Sequence, residues 1–307
     1  MTFGYGAGSL PDGWSDEVLT NKEAEDCLIP MGITSENVAS DFGISRELQD
    51  KFAAESFQKA AAAQKAGKFK DEIVPLKVKI TDPKTEKVSE IVVDMDDGIR
   101  DGVTAESLSK LKPAFSKNGS THAGKFFVYR SGSFSLNRCT GNASQISDGA
   151  AAVVLTRRSV AKRLGLLIVG KYVASAVVGV PPRIMGVGPA YAIPKVLEKT
   201  GLSKDDVDFY EINEAFASQA VYSVQKIGVS FDKVNVNGGA IAIGHPLGCS
   251  MCFRNLHVYV LTSLVTAGAR QIATGLNIAK QRNERVFVTS MCIGSGMGMA
   301  AVFVSEH

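Results

Sequence analysis

NVNGGAIAIGHPLGCS, residues 235–250, is the stretch on which the reading of this chain turns. It reads as a short strand, a turn at Gly238 and Gly239, a run of small residues, and then His245 between Gly244 and Pro246. Glycines let backbone approach a ligand closely, and proline fixes the exit of the turn. A histidine held in such a frame is placed for proton transfer near neutral pH. Alone, the same letters describe a tight turn whose histidine is satisfied by backbone. The flanking text changes the weighting: INEAFASQA stands upstream at 212–220 and MCIGSGMG downstream at 291–298.

The segment DVDFYEI reads as a strand, after which Glu214 opens a helix through Ala217, Val221 and Val224. Asn213 therefore stands at or beside a helix N-terminus, where asparagine is a good cap. Downstream, a helix is expected from Gly268 to Arg282, and strands from Val286 to Ser290 and from Met299 to Val304. Cys292 ends the first of these strands in a glycine turn. The GSGMG of that turn joins two strands and opens no helix, which excludes a dinucleotide-binding loop.

Composition bounds the function classes. The chain has 307 residues, 45% hydrophobic and 21% charged, with a net charge of +3. This is ordinary for a globular enzyme, and the mild excess of base suits a small anionic ligand. No long Lys/Arg run or RNA-binding signature points to nucleic acid. No stretch of about 20 apolar residues exists to span a membrane. The five cysteines, Cys27, Cys139, Cys249, Cys252 and Cys292, are odd in number and irregular in spacing. Reduced thiols in an intracellular protein are expected. Cys249 and Cys252 form a CxxC without a second pair, so no metal site is expected. The N-terminus lacks a signal-peptide pattern, and the C-terminus is not a Ser-Lys-Leu peroxisomal address.

Along the chain, residues 1–23 are rich in Gly, Pro and Asp and are expected to be poorly ordered. Thr34 is expected to cap a short helix, and Ser45 a longer one ending at Gly67. Leu76, Val78 and Ile80 alternate, Asp82-Pro83 turns, and Val88–Val93 returns, which is a hairpin. Residues 150–155, AAAVVL, with a helix to Gly165, close a first unit, and a second begins near Leu166.

NEAF, GHP and CxG, in this order, resemble the catalytic C-terminal half of the thiolases. CLIPMGITSENVA at 27–39 is most similar to the degradative, peroxisomal-type 3-ketoacyl-CoA thiolases, and KLKPAF, ending at Phe115, is similar to the same family's loop domain. That domain covers the pantetheine arm of coenzyme A, so the resemblance assigns Met31 and Phe115, with Ser144 of GNAS, to CoA binding. A plain helix cap is an equally good reading of Ser144. Biosynthetic members carry a CoA-contacting histidine where this chain has Pro30, so that contact does not carry over. The implied fold is α/β, a five-stranded mixed sheet between helices. The implied chemistry is ping-pong acyl transfer between a 3-oxoacyl-CoA and CoA, with CoA as co-substrate and no permanently bound cofactor. His245 would activate a nucleophilic cysteine. Cys292 would protonate the departing acetyl-CoA enolate and deprotonate the incoming thiol. Asn213 would hold a water that stabilises an oxyanion, and Gly294 would lend a backbone N–H to an oxyanion hole. The family forms homodimers, and the resemblance implies a peroxisomal location.

Two segments break the family text: 125–140, between Gly124 and Gly141, and 251–267, between GHPLGCS and GARQ. Both are expected to loop out of the core. No role is assigned to His257. The expected organisation is 1–23 outside the family, 24–165 as the end of a first thiolase domain with its loop domain, and 166–307 as the C-terminal domain. No cysteine stands in the Cys-Ser-Ser-Gly setting of the family nucleophile. The chain is accordingly expected to lack that part of a thiolase and not to catalyse thiolysis by itself. The alternative is a non-catalytic fragment that binds CoA or an intact thiolase.

Overall fold

The computed structural model describes residues 15–81, 85–130, 133–147, 149–246 and 266–307; for 123–140, Asp16, Thr266 and Ala267 it describes the backbone alone. Local capping chemistry starts the first helices. Ser15 and Asn21 accept backbone N–H groups and open α1 (Asp16–Thr20) and α2 (Lys22–Asp26). The expectation of disorder to Glu23 is thereby corrected for 15–23; residues 1–14 lie outside the described residues. α3 (Met31–Phe42) begins directly after Pro30, whose ring fixes φ near the helical value. Thr34 is therefore inside the first turn, its hydroxyl donating to the Met31 carbonyl at 2.7 Å rather than capping. Ser45 does cap α4 (Arg46–Lys65), accepting from the Leu48 N–H.

β1 (Leu76–Thr81) and β2 (Val88–Val93) form the expected antiparallel hairpin, with Leu76 opposite Val93 and Thr81 opposite Val88; its Asp82-Pro83 turn lies outside the described residues. α5 (Ala105–Ser109) follows. The extra residues 125–140 fall in a second antiparallel hairpin, β3 (Ala123–Arg130) and β4 (Ser133–Gly141). Its base pairs Ala123 with Gly141 and Gly124 with Thr140, so the two ends of the extra segment stand side by side. The second extra segment lies outside the described residues up to residue 265. The apolar run 150–155 forms no strand among the described residues. An apolar run becomes a strand only against partner strands, and among the described residues none pairs with it beyond a single bridge residue at Leu155. α6 (Arg158–Arg163) then leads to the second unit.

That unit is built on β5 (Gly170–Gly179), α7 (Gly188–Thr200), β6 (Phe209–Ile212), α8 (Ala217–Ile227), α9 (Ala240–Ile243), α10 (Thr266–Arg282), β7 (Val286–Ile293) and β8 (Met297–Ser305). The sheet order is β5-β8-β7-β6, with β6 parallel to β7 and the other pairs antiparallel. It is thus a mixed sheet of four strands among the described residues, not five. Alternating side chains give it two apolar faces. Tyr210, Ile212, Val288 and Val302 pack against Ile193, Val196 and Leu197 of α7 and Val224 of α8. Phe209, Phe287 and Phe303 pack on the other face against Ile278 and Ala279 of α10. The result is a helix–sheet–helix sandwich.

α3 and α4 add a further layer over α8, through Val38, Phe52, Phe57 and Ala60 against Ala217, Ala220 and Val221. A buried polar network fastens the chain after α5 to α4. Asp50 accepts from Arg46 Nε at 2.7 Å, meets His122 Nε2 at 2.7 Å, and accepts from Asn142 Nδ2 at 3.0 Å.

Candidate active site

The site grows from the parallel pair β6 and β7 at one end of the sheet. β6 and β7 run in register with Ile212 opposite Ser290, and the chain leaves β6 as Asn213. The Asn213 N–H donates to the Ser290 carbonyl at 2.8 Å, and two residues further β7 reaches Cys292. Asn213 and Cys292 therefore lie at the same C-terminal edge of two parallel strands, where open α/β sheets place their ligands.

Asn213 does not cap the following helix, correcting that reading. α8 starts later, at Ala217, with Phe216 as its cap residue. The intervening turn hands the Asn213 carbonyl to Gln219 Nε2 at 2.8 Å and leaves the Asn213 side chain free to face His245, with Nδ2 3.2 Å from the imidazole Nε2. An amide nitrogen only donates, so in this arrangement Nε2 accepts and the imidazole proton sits on Nδ1. Among the described residues, His245 Nδ1 and Asn213 Oδ1 have no hydrogen-bond partner although both are buried. Buried orphan atoms of this kind are uncommon and concentrate where function needs them.

His245 is aimed by the residues before and beside it. α9 is a single turn ending at Gly244, whose φ of +113° only glycine adopts easily, and where a Cβ would stand 2.6 Å from Ser147 Oγ. The His245 N–H then donates to the Gln145 carbonyl at 2.7 Å. The GNAS segment carrying Gln145 is held in turn by the NEAF turn, through Ala217 N–H to Asn142 O at 2.8 Å and Ser144 N–H to Ala215 O at 2.9 Å. Ser144 caps no helix; its backbone stitches these two motifs together.

Burial pushes the imidazole of His245 down to about 4, with the positive charge of Arg270 adding to the effect. It is a neutral base at pH 7. Cys292 is a free, half-buried thiol, and burial pushes it up to about 11, against the pull of its own backbone N–H. It keeps its proton at pH 7. One edge of the sheet thus carries a neutral imidazole and a protonated thiol, a pair of protonation states that acid–base catalysis can use. Gly294 is exposed at the start of the three-residue turn from β7 to β8, where Ile293 pairs with Met297.

Of the apolar candidates, Phe115 borders the turn that follows Asn213. Phe115 lies against Gly32, where a Cβ would come within 2.2 Å of its ring, and meets Phe216 edge-on at 6.4 Å. Phe115 and Met31, which opens α3, are both partly exposed.

Sequence reading missed four residues here. Glu214, taken as a helix opener, is buried and accepts from Ser56 Oγ, Asn235 Nδ2 and the Ile241 N–H at 2.7, 2.7 and 3.1 Å. Gln145 reaches α9 with its side chain. Glu211, one residue inside β6, is buried and pushed up to about 8 by that burial, opposed by Arg270. Arg270, on the first turns of α10, has Nε and Nη1 without a partner among the described residues. NEAF contains Glu214 and Gln145 directly follows GNAS, but no spacing rule links Gln145 to a helix about 100 residues later. Among the described residues no cluster of His, Cys, Asp and Glu could hold a metal ion, and no helix is long and apolar enough to cross a membrane.

A mixed sheet between helices, with an Asn–His pair and a cysteine at one strand edge, agrees with what comparison with known proteins finds. Residues 9–133 match the family model for the thiolase N-terminal domain, and 166–265 that for the thiolase C-terminal domain. The chain belongs to the thiolase family. It is 53% identical over 306 residues to a peroxisomal 3-ketoacyl-CoA thiolase of Yarrowia lipolytica, covering 100% of this chain and 65% of that one. It is 53% identical over 294 residues to the human peroxisomal 3-ketoacyl-CoA thiolase, covering 95% and 61%. Among solved structures, the dimeric peroxisomal thiolase of Saccharomyces cerevisiae superposes with a TM-score of 0.76 at 49% identity, over 97% of this chain and 65% of that one. A human mitochondrial 3-ketoacyl-CoA thiolase in complex with CoA superposes with a TM-score of 0.74 at 34% identity, over 92% and 60%. The chain thus spans a little under two thirds of the length of these relatives.

Proposed function

We propose that this chain carries the acid–base half of a 3-ketoacyl-CoA thiolase site, serving thiolytic cleavage of 3-oxoacyl-CoA in fatty acid β-oxidation. The observation that carries the reading is the Asn213–His245 contact of 3.2 Å at the strand edge that also carries Cys292. In this scheme His245 takes the proton of a nucleophilic thiol, whose thiolate attacks the 3-keto carbon. The bond between C2 and C3 breaks, its electron pair stays on acetyl-CoA as an enolate, and Cys292 supplies the proton. The Cys292 thiolate then deprotonates CoA, whose thiolate displaces the shortened acyl group as acyl-CoA. A water on Asn213 and the Gly294 N–H stabilise the oxyanions. CoA is a co-substrate, lying along Ser144, Met31 and Phe115. Assembly as a homodimer and a peroxisomal location belong to the same proposal, supported by the relatives.

None of the five cysteines matches the family nucleophile, so the 307-residue polypeptide alone is proposed not to turn over. The test is purified polypeptide with acetoacetyl-CoA and CoA, following the enolate absorbance. No turnover is expected from the polypeptide itself. Turnover is expected when a thiolase N-terminal segment bearing Cys-Ser-Ser-Gly completes the chain, and it should be lost in His245→Ala and Cys292→Ala. Turnover of the bare polypeptide that disappears in Cys249→Ala or Cys27→Ala would overturn the reading. A second reading, a non-catalytic partner of an intact thiolase, is favoured by exposed apolar side chains at Ile146, Val154 and Leu167, which are 77%, 68% and 87% exposed. Co-purification with a full-length thiolase, without activity in the completed chain, would select it.

A further inference from the structure

α9 is four residues long, far below the length at which a helix holds itself together in water. Yet it delivers His245. What stabilises it comes from outside. At its N-terminal end the Ile241 N–H donates to Glu214 Oε2 at 3.1 Å, and Glu214 also binds Ser56 Oγ, which accepts from the Gly239 N–H at 3.0 Å. At its C-terminal end the Gln145 side-chain amide donates to the Ile241 and Ala242 carbonyls, each at 3.2 Å, and to the Gly98 carbonyl at 3.0 Å. The backbone carbonyl of the same Gln145 accepts the His245 N–H. Gln145 is buried, and its three acceptors are orphan or loop carbonyls that would otherwise lie unsatisfied in the interior.

We propose that Gln145 is a positioning residue for the base, and that with Glu214 it clamps α9 at both ends so that His245 is held against Asn213. Glu214 ties this clamp to the Asn213 turn by being the next residue in the chain, so base and partner are set by one frame. The assignment rests on reading His245 as the base, but its test does not depend on turnover.

The experiment uses the whole 307-residue chain and follows the His245 imidazole by NMR titration and the Gly244 and His245 amides by hydrogen exchange. Gln145→Met keeps the side-chain volume and the backbone carbonyl while removing the amide, whose two N–H groups are shared among the three carbonyls. The expected result is a chain with unchanged far-ultraviolet circular dichroism, exchange at both amides faster on the order of tenfold or more, and a His245 midpoint about one pH unit or more above that of the parent chain as water reaches the ring. A second variant, Gly98→Ala, places a Cβ 3.1 Å from the Ala242 carbonyl and 3.2 Å from the Gln145 amide, pressing the clamp from the opposite side. It should move both readouts in the same direction, and it decides the question if Gln145→Met does not fold. The control is Gln281→Met, which removes an exposed amide bond from the end of α10 to the Lys68 carbonyl, outside the clamp. Wild-type exchange and titration in folded Gln145→Met or Gly98→Ala would overturn the proposal. So would equal changes in Gln281→Met, which would mark a general loosening. If His245 is not the base, these readouts still move, and that failure appears instead in the thiolysis assay of the completed chain.

Discussion

Replacing Glu211 by Gln should flatten the pH dependence of stability above neutrality. Glu211 lies inside β6, 1% exposed, with Oε1 lacking a partner among the described residues. Burial raises it from 4.5 to about 8. Folding therefore retains a proton that the unfolded chain has released. Stability from this group is fully present below 4.5 and is lost as pH rises through 8. Each pH unit inside that window costs about 1.4 kcal/mol. Between pH 6.5 and 8 the loss is about 2 kcal/mol for this carboxyl. The window avoids His245, whose lowered value gives stability that is present above 6.5 and lost as pH falls towards 4. It also avoids Cys292, which changes only above 9. Other raised acids, Glu72, Asp96 and Glu214, are common to parent and variant. Urea unfolding at the two pH values should thus show a parent chain losing about 2 kcal/mol more than Glu211→Gln over this interval. A glutamine mismatch in the pocket would offset the variant equally at both pH values and leave the slope intact. Parallel slopes, within about 0.5 kcal/mol, would refute the argument.

Three further outcomes follow from the packing. Gly238→Ala combines a φ of +81° with a Cβ 2.6 Å from both Ala60 Cβ and the Ser56 carbonyl of α4; left-handed strain and overpacking together should cost about 2–4 kcal/mol in urea unfolding. Cys292, held at about 11 against an ordinary 9, has roughly a hundredfold smaller thiolate fraction at pH 8; iodoacetamide mapped by peptide mass spectrometry should label exposed Cys27 well before it. Deleting 125–140 joins Gly124 to Gly141 across the base of the β3–β4 hairpin, where Thr140 already pairs with Gly124. Unfolding free energy should stay within about 1 kcal/mol, and a larger fall in melting would show that the hairpin supports the fold.

Much of this protein was legible in its letters because the signals were local or belonged to motifs. The β1–β2 hairpin shows in its alternation, α4 in its Ser45 cap, and β6, β7 and β8 in apolar runs bounded by Gly and charged residues. NEAF, GHP and CxG gave the family, and with it the roles proposed for Asn213, His245 and Cys292. What sequence could not give was any choice that depended on a distant partner. Asn213 is written like a helix cap, but the helix starts four residues later, because Ser290 takes its N–H, Gln219 its carbonyl and His245 its side chain. The apolar run 150–155 forms no strand among the described residues, because strand formation needs a neighbouring edge. The titration of His245, Cys292 and Glu211 is likewise set by burial beneath elements far apart in the chain. Gln145 illustrates the division most plainly: its letter sits in a recognisable motif, yet its work is done on carbonyls of Ile241 and Ala242, which only the folded chain brings within 3.2 Å. Backbone propensity and patterning act over a few residues and survive in the sequence; desolvation and hydrogen-bond partnership are properties of the packed interior and exist only once it has formed.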